Sequence, residues 1–231
     1  MGFKKKKYFY YKLIKPNIYA TIGVGSSSAF HEKCRAYSIQ LGILYENVER
    51  IAYELTGINK LALMKPTMST DIGYLMPENR FKKWELSYEF SNEKEFSEMF
   101  KAIETYGNEY WGKYSNSDVL FHAFYIREAG IQNVTRDKYL PILYYIRGEK
   151  EKGLQVIENA IARMGTRHTD EELRWNQNEN MAILRAGEGS HMSAEEMEKL
   201  LRDNGSFMIV AGDGVVSPEY LEFREKYMQL D

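Results

Sequence analysis

The peptide Gly23-Val24-Gly25-Ser26-Ser27-Ser28 follows a strand-like run and precedes a helix-like one, a setting in which backbone amides can cradle a phosphate. It lacks both the lysine of a P-loop and the third glycine of a dinucleotide fingerprint, so a flexible turn ending in a serine helix cap is the simpler reading. His31-Glu32-Lys33-Cys34 holds base and nucleophile types, but the same spacing serves ordinary helix packing. Cys34 also falls in an apolar stripe, which predicts a buried, inert thiol. His168-Thr169-Asp170-Glu171-Glu172 could hold a metal, yet its threonine and acids are explained by a helix start. The histidines, His31, His122, His168 and His191, never form a His-Glu-x-x-His pattern. No catalytic, cofactor-binding or metal-ligating residue is therefore assigned, and the chain is read as not an enzyme.

The carboxylates at the other end of the chain are a better candidate for chemistry. Asp213 lies in the turn Ala211-Gly212-Asp213-Gly214, and Glu219 and Glu222 sit early in the helix that follows, so three negative charges come together. They could meet a basic cleft on a partner. Their local uses are a Gly-Asp-Gly turn and a favourable charge at a helix N-terminus. Charge is divided accordingly along the chain. Residues 1–40 carry eight bases and one acid, whereas residues 189–231 carry four bases and nine acids, although the formal net charge is only −2. With so small a net charge, no global field draws the protein to nucleic acid or membrane. Lys4, Lys5, Lys6 and Lys7 could bind phosphate, or could be a solvated terminus that discourages strand-edge pairing. The 18 tyrosines could stack bases, but Tyr37, Tyr88, Tyr106 and Tyr125 fall on apolar faces, so core and interface packing is expected, with surplus tyrosines suiting a protein-binding patch.

One cysteine excludes an internal disulfide and a thiolate metal cluster. No run approaches the roughly 20 apolar residues of a membrane span, and residues 8–12 lack the apolar stretch of a signal peptide, so the expectation is a cytoplasmic protein with no membrane partner.

Several elements must position these groups. Residues 8–14 and 18–24, broken at Lys15-Pro16-Asn17, predict a hairpin. Trp84-Glu85-Leu86-Ser87-Tyr88-Glu89-Phe90 alternates with period two and predicts a strand with one wet face. Residues 61–64 and 72–76 are weaker strands, completing an antiparallel meander of about five strands. Cys34, Tyr37, Leu41, Leu44, Val48, Ile51 and Leu55, spaced by three and four, predict a long helix lying across the sheet. From Asn92 onward the pattern is helical. Asn92 with Glu95 predicts a capping pair, and a further helix starts near Ser117. Pro141 reads as a first-turn proline, and Arg147-Gly148-Glu149-Lys150 as the turn of a helical hairpin. Thr169 with Glu172, Ser193 with Glu196 and Ser217-Pro218-Glu219 mark later helix starts, and Phe207-Met208-Ile209-Val210 a last strand. Gly189-Ser190-His191-Met192 matches a cloning-vector scar but lies deep within the chain. The fold class is α+β: an N-terminal antiparallel sheet with a long helix, then a mainly helical C-terminal half. It forms one domain over residues 1–231, divisible at 1–91 and 92–231.

Two stretches carry a family resemblance. Leu140-Pro141-Ile142-Leu143-Tyr144-Tyr145-Ile146-Arg147-Gly148-Glu149-Lys150-Glu151-Lys152-Gly153, running into Ile157-Glu158, resembles the helical-hairpin segment of bacterial immunity proteins from polymorphic and contact-dependent toxin systems. Gly212-Asp213-Gly214-Val215-Val216-Ser217-Pro218-Glu219-Tyr220-Leu221-Glu222-Phe223 is similar to the tail of such proteins. The resemblance implies a cytoplasmic inhibitor that binds a cognate toxin, often a nuclease, and needs no cofactor or catalytic residue. An acidic surface would occupy the basic active site, with Asp213, Glu219 and Glu222 as the candidate contacts. The alternative is a small enzyme or ligand-binding protein that uses the Gly23-to-Ser28 loop for a phosphate-bearing ligand.

Overall fold

The computed structural model describes residues 2–28, 33–128, 131, 133–165 and 216–231. The fold is α+β, with an N-terminal antiparallel sheet followed by helices. Two compact units divide it: Met1–Tyr53 with Asn59–Ile131, and Glu54–Ile58 with Gln132–Asp231.

The first unit is built on a six-stranded sheet. Strands β1 (Lys4–Lys6), β2 (Phe9–Lys15), β3 (Ile18–Ser28), β4 (Cys34–Tyr45) and β5 (Met68–Asp71) lie side by side in chain order, and β6 (Trp84–Ser87) pairs with β4 beyond the end of β5. The β2–β3 hairpin forms as its pattern predicts, with Asn17 in the left-handed region at φ 61°. Residues 34–45 correct the sequence reading. They form a strand, and helix α1 covers only Glu46–Thr56. The reason is burial on both faces: Ile39, Leu41, Ile43, Leu44 and Tyr45 are all in the core, so the alternation that marks a half-exposed strand is lost. The apolar residues at helical spacing are then a by-product of burying consecutive residues, Leu41 to Tyr45, on both faces of the strand. Gly42 shows how tightly one face is covered, because a Cβ there would stand 2.5 Å from both Pro66 Cβ and Thr21 Oγ1.

The weaker strands are also corrected. Leu61–Leu63 and Ile72–Tyr74 are single 3₁₀ turns, and the strand is β5, between them, where a connecting turn is expected. β5 pairs Met68 with Ile43 and Asp71 with Gln40, and Asp71 starts the second turn by accepting the amide of Gly73 at 2.9 Å. The strand at Trp84 stops at Ser87, whose hydroxyl accepts the amides of Glu89 and Phe90 and bends the chain away.

Helices α2 (Glu93–Ala102) and α3 (Asn108–Tyr114) are joined by a π turn, Ile103–Gly107, and α4 (Ser117–Ile126) follows. Asn92 stands at the α2 N-cap position but makes no capping bond. Its side chain instead accepts Ser87 N at 2.7 Å and donates to Ser87 O at 2.9 Å, tying the helix start to β6. The helices are held to the sheet through backbone carbonyls. Trp111 Nε1 donates to Gly42 O at 2.9 Å, Tyr45 OH to Tyr114 O at 2.7 Å, and Lys15 Nζ to Ser115 O at 3.0 Å.

The second unit holds α5 (Asn133–Ile146), α6 (Lys150–Gly165) and α7 (Pro218–Met228). The expected tight turn joins α5 to α6 through Gly148 at φ 75°. Ser217 caps α7 by accepting Tyr220 N, with Pro218 at the first helical position, as its sequence predicts. Pro141 is corrected: it lies two turns inside α5, not in a first turn. Proline offers no N–H to the carbonyl four residues back. That carbonyl belongs to Asp137, and Tyr220 OH donates to it at 3.0 Å. Two turns further along α7, Tyr227 OH donates to the carbonyl of Pro141 itself at 3.0 Å. Burial pushes the pKa of both tyrosines up, so each keeps its donor proton. Gly153 makes room for this contact, because a Cβ there would lie 2.8 Å from Tyr227 Cζ and 2.9 Å from Pro141 O.

Tyr220→Phe should therefore cost about 1 to 3 kcal/mol, the penalty for depriving a buried carbonyl of its donor. In a Pro141→Ala background, where a main-chain N–H can serve Asp137, the same substitution should cost markedly less. Urea unfolding of the four proteins in a double-mutant cycle measures both.

Candidate functional site

The residues 23–28 belong to β3 in its entirety, which corrects the reading of a phosphate-cradling loop before a helix. The next described element is strand β4, so among the described residues no helix start follows them. What they build instead is a sheet edge that no strand covers among the described residues. β2 begins at Phe9, opposite Gly23, whereas β3 continues to Ser28, opposite Arg35 of β4. Tyr45 N donates to Thr67 Oγ1 and Ile43 O accepts from Thr67 N, so odd-numbered β4 residues turn their backbone groups away from β3. Even-numbered β4 residues, with their partners Gly23, Gly25 and Ser27, form the β3–β4 ladder. The N–H and C=O groups of Val24, Ser26 and Ser28 therefore point to the side where, among the described residues, no strand lies.

A groove of about 300 Å³ crosses the sheet at the start of this edge. Gly23, Gly25 and Ser38 line it without bulk, Gln40 and Asp71 supply polar groups, and Tyr8 and Phe81 are the exposed aromatic walls. Asp71 Oδ1 accepts the amides of Gly73 and Lys82 at 2.9 and 3.2 Å. Desolvation nonetheless raises its pKa above the ordinary 3.8, outweighing the two hydrogen bonds that lower it.

The other expected site residues separate. Glu219 and Glu222 stand exposed on adjoining turns of α7, and Glu222 is ion-paired with Lys226 at 2.6 Å, so its charge is partly balanced. Asp213 lies outside the described residues, as do His31, the peptides at His168, Gly189, Ser193 and Phe207, and residues 212–215 of the second resemblance stretch. Cys34 is on β4, half-buried and opposite Ser87, and not in a helical stripe. Lys4, Lys5 and Lys6 make up β1, fully exposed, with Lys5 Nζ 5.8 Å from the ring of Tyr10. Among the described residues, no group of three His, Cys, Asp or Glu side chains could hold a metal, and no helix is long and apolar enough to cross a membrane.

The sequence reading missed an aromatic surface. Tyr88, Phe90, Phe96 and Phe100 are 67, 77, 44 and 54% exposed, although three-and-four spacing assigns the last two to a buried face. Tyr125 is also exposed, and Tyr37 and Tyr106 are half-buried. The buried face of α2 is Met99 and Ala102, continued by Ile103. Nothing in the sequence signals it, because Tyr88 and Phe90 fit one strand face and Phe96, Met99 and Phe100 one helix stripe, both of which the sequence alone would bury. Compared with protein-family models, curated proteins and solved structures, the chain matches none.

A carboxyl whose pKa is raised on folding binds its proton more tightly in the native state, so its contribution to stability falls as pH rises from 3.8 through the folded value. Asp71→Asn keeps an oxygen for both amides and has no proton to lose. The variant should therefore gain stability relative to the parent as pH climbs out of the carboxyl range of about 3 to 5. Thermal unfolding across that range measures the difference.

Proposed function

We propose that this chain is an immunity protein that binds a cognate bacterial toxin in the cytoplasm and neutralises it by covering its active site or substrate surface. The observation that carries the reading is the run of exposed aromatics at residues 88–100. Aromatic side chains supply large, rigid contact area and are over-represented among the residues that dominate protein–protein affinity. Tyr88 and Phe90 occupy the turn pinned by Ser87 and Asn92, and Phe96 and Phe100 stand one turn apart on α2, so the surface is anchored before a partner arrives. The resemblance to immunity proteins supports the same reading. Its first stretch forms the α5–α6 hairpin, and Tyr220 of the second docks on that hairpin. Independently of that surface, a basic nuclease cleft could pair with Glu219 and Glu222, and with Asp213 beside them in sequence.

The test is binding to, and cell protection against, the product of the gene immediately upstream. The parent should bind it and restore growth. Phe96→Ser with Phe100→Ser should keep the fold and weaken binding at least tenfold, about 1.4 kcal/mol. Glu219→Lys with Glu222→Lys should weaken it to a similar extent, and more at low salt than at high salt. A parent that neither binds nor protects would end the immunity reading. Undiminished binding by the aromatic variant would remove the surface at residues 88–100, and undiminished binding by the charge variant would remove the acidic helix.

A further inference from the structure

Sheets close their edges with lysines, prolines, bulges or very short strands, because a row of unpaired N–H and C=O groups invites another strand. The edges of this sheet differ in that respect. β1 is three exposed lysines, β5 and β6 are four residues each, and the β2–β3 ladder carries its irregularity between Leu13 and Lys15. The free part of β3 has none of these devices. Residues 24–28 read Val-Gly-Ser-Ser-Ser, stay in unbroken register with β4, and turn the backbone of Val24, Ser26 and Ser28 outward.

We propose that this edge binds an extended acidic segment of a partner protein by strand addition. The β1–β2 turn blocks any extension of β2 along it, since Lys7 adopts φ 51° and β2 pairs no further than Phe9 against Gly23. Among the described residues the site is therefore a gap in the sheet with one end fixed. Backbone groups of the added strand complete the ladder with Val24, Ser26 and Ser28, and alternate side chains fall beside Gly25 at the mouth of the groove walled by Tyr8 and Phe81. Charge selects the occupant. Lys4, Lys5, Lys6 and Lys7 surround the turn at one end, none of them ion-paired among the described residues, and Arg35 stands at the other, its guanidinium donating to Ser26 Oγ at 3.0 Å. Carboxylates on the incoming segment meet a cation at both ends. This inference goes beyond the immunity reading, because it fixes a mode of recognition whatever the partner does.

The probe is a random decapeptide library displayed on phage and selected on the immobilised full chain. Recovered peptides should be rich in Asp and Glu, and synthetic copies should lose at least tenfold in affinity between 50 and 500 mM salt, concentrations at which roughly 14 and 4 Å of screening apply. Ser26→Pro should weaken them at least tenfold. Proline is tolerated there because the Ser26 N–H faces away from β4, and an unchanged melting curve checks that the fold survives. Lys6→Glu with Lys7→Glu should do the same by charge alone. Bound peptide should slow amide exchange at Val24, Ser26 and Ser28 at least tenfold and leave Gly25 and Ser27, already in the ladder, nearly unchanged. Failure to recover any peptide, equal binding by Ser26→Pro, or protection elsewhere would overturn the proposal. None of these outcomes involves the toxin, so the immunity reading stands or falls separately.

Discussion

Every residue of β3 from Ile18 to Ser28 is in register with β4 from Tyr45 back to Arg35, and the rest of the first unit depends on that ladder. An extended chain buried on both faces must pair its backbone groups along both edges, since each unpaired buried group costs as much as a lost hydrogen bond. β4 meets this demand with β3 on one edge and with β5 and β6, end to end, on the other. Gly42 O then accepts a second donor, Trp111 Nε1, and Tyr45 reaches out to Tyr114 O. Helix α3 is thus anchored both by the central strand's backbone at Gly42, where the missing side chain leaves room for Pro66 and Thr21, and by the side chain of Tyr45.

A related economy holds the second unit together. Pro141 removes one main-chain donor from α5, and the deficit becomes a docking point for α7, because Tyr220 and Tyr227 reach the carbonyls of Asp137 and Pro141. Arg224 Nε adds an ion pair to Glu158 at 2.5 Å, and Arg163 pairs with the buried carboxylate of Asp137. A proline that would destabilise an isolated helix by about 3 kcal/mol is tolerated where another element supplies the missing hydrogen bond. The stretches that resemble immunity proteins take part in this docking, so their residues answer to packing at least as much as to any partner.

The two recognition surfaces proposed for the first unit differ chemically. Residues 88–100 offer aromatic area, whose affinity comes from desolvation and changes little with salt. The β3 edge offers directional backbone bonds flanked by cations, whose contribution screening reduces. The two forms suit one extended interface or two separate partners, and only the second is weakened by salt.

Local chemistry alone determined what depends on neighbours in sequence. The β2–β3 hairpin, the Gly148 turn, the Ser217-Pro218 helix start and the α+β class all follow from backbone preferences and patterns a few residues long. Tertiary structure decided whatever depends on how many faces are covered. Residues 34–45 could satisfy a helical stripe or a doubly buried strand, and only the presence of β3, β5 and β6 at its edges selected the strand. Pro141 is tolerable deep in α5 only because Tyr220 arrives from more than seventy residues away. Phe96 and Phe100 satisfy the same periodicity as Met99 and Ile103, yet α2 rests on the sheet along a single stripe, and which residues fill it is fixed by the angle at which Asn92 and the π turn set the helix. Periodicity reports which residues share a face; the neighbouring elements decide which face is inside.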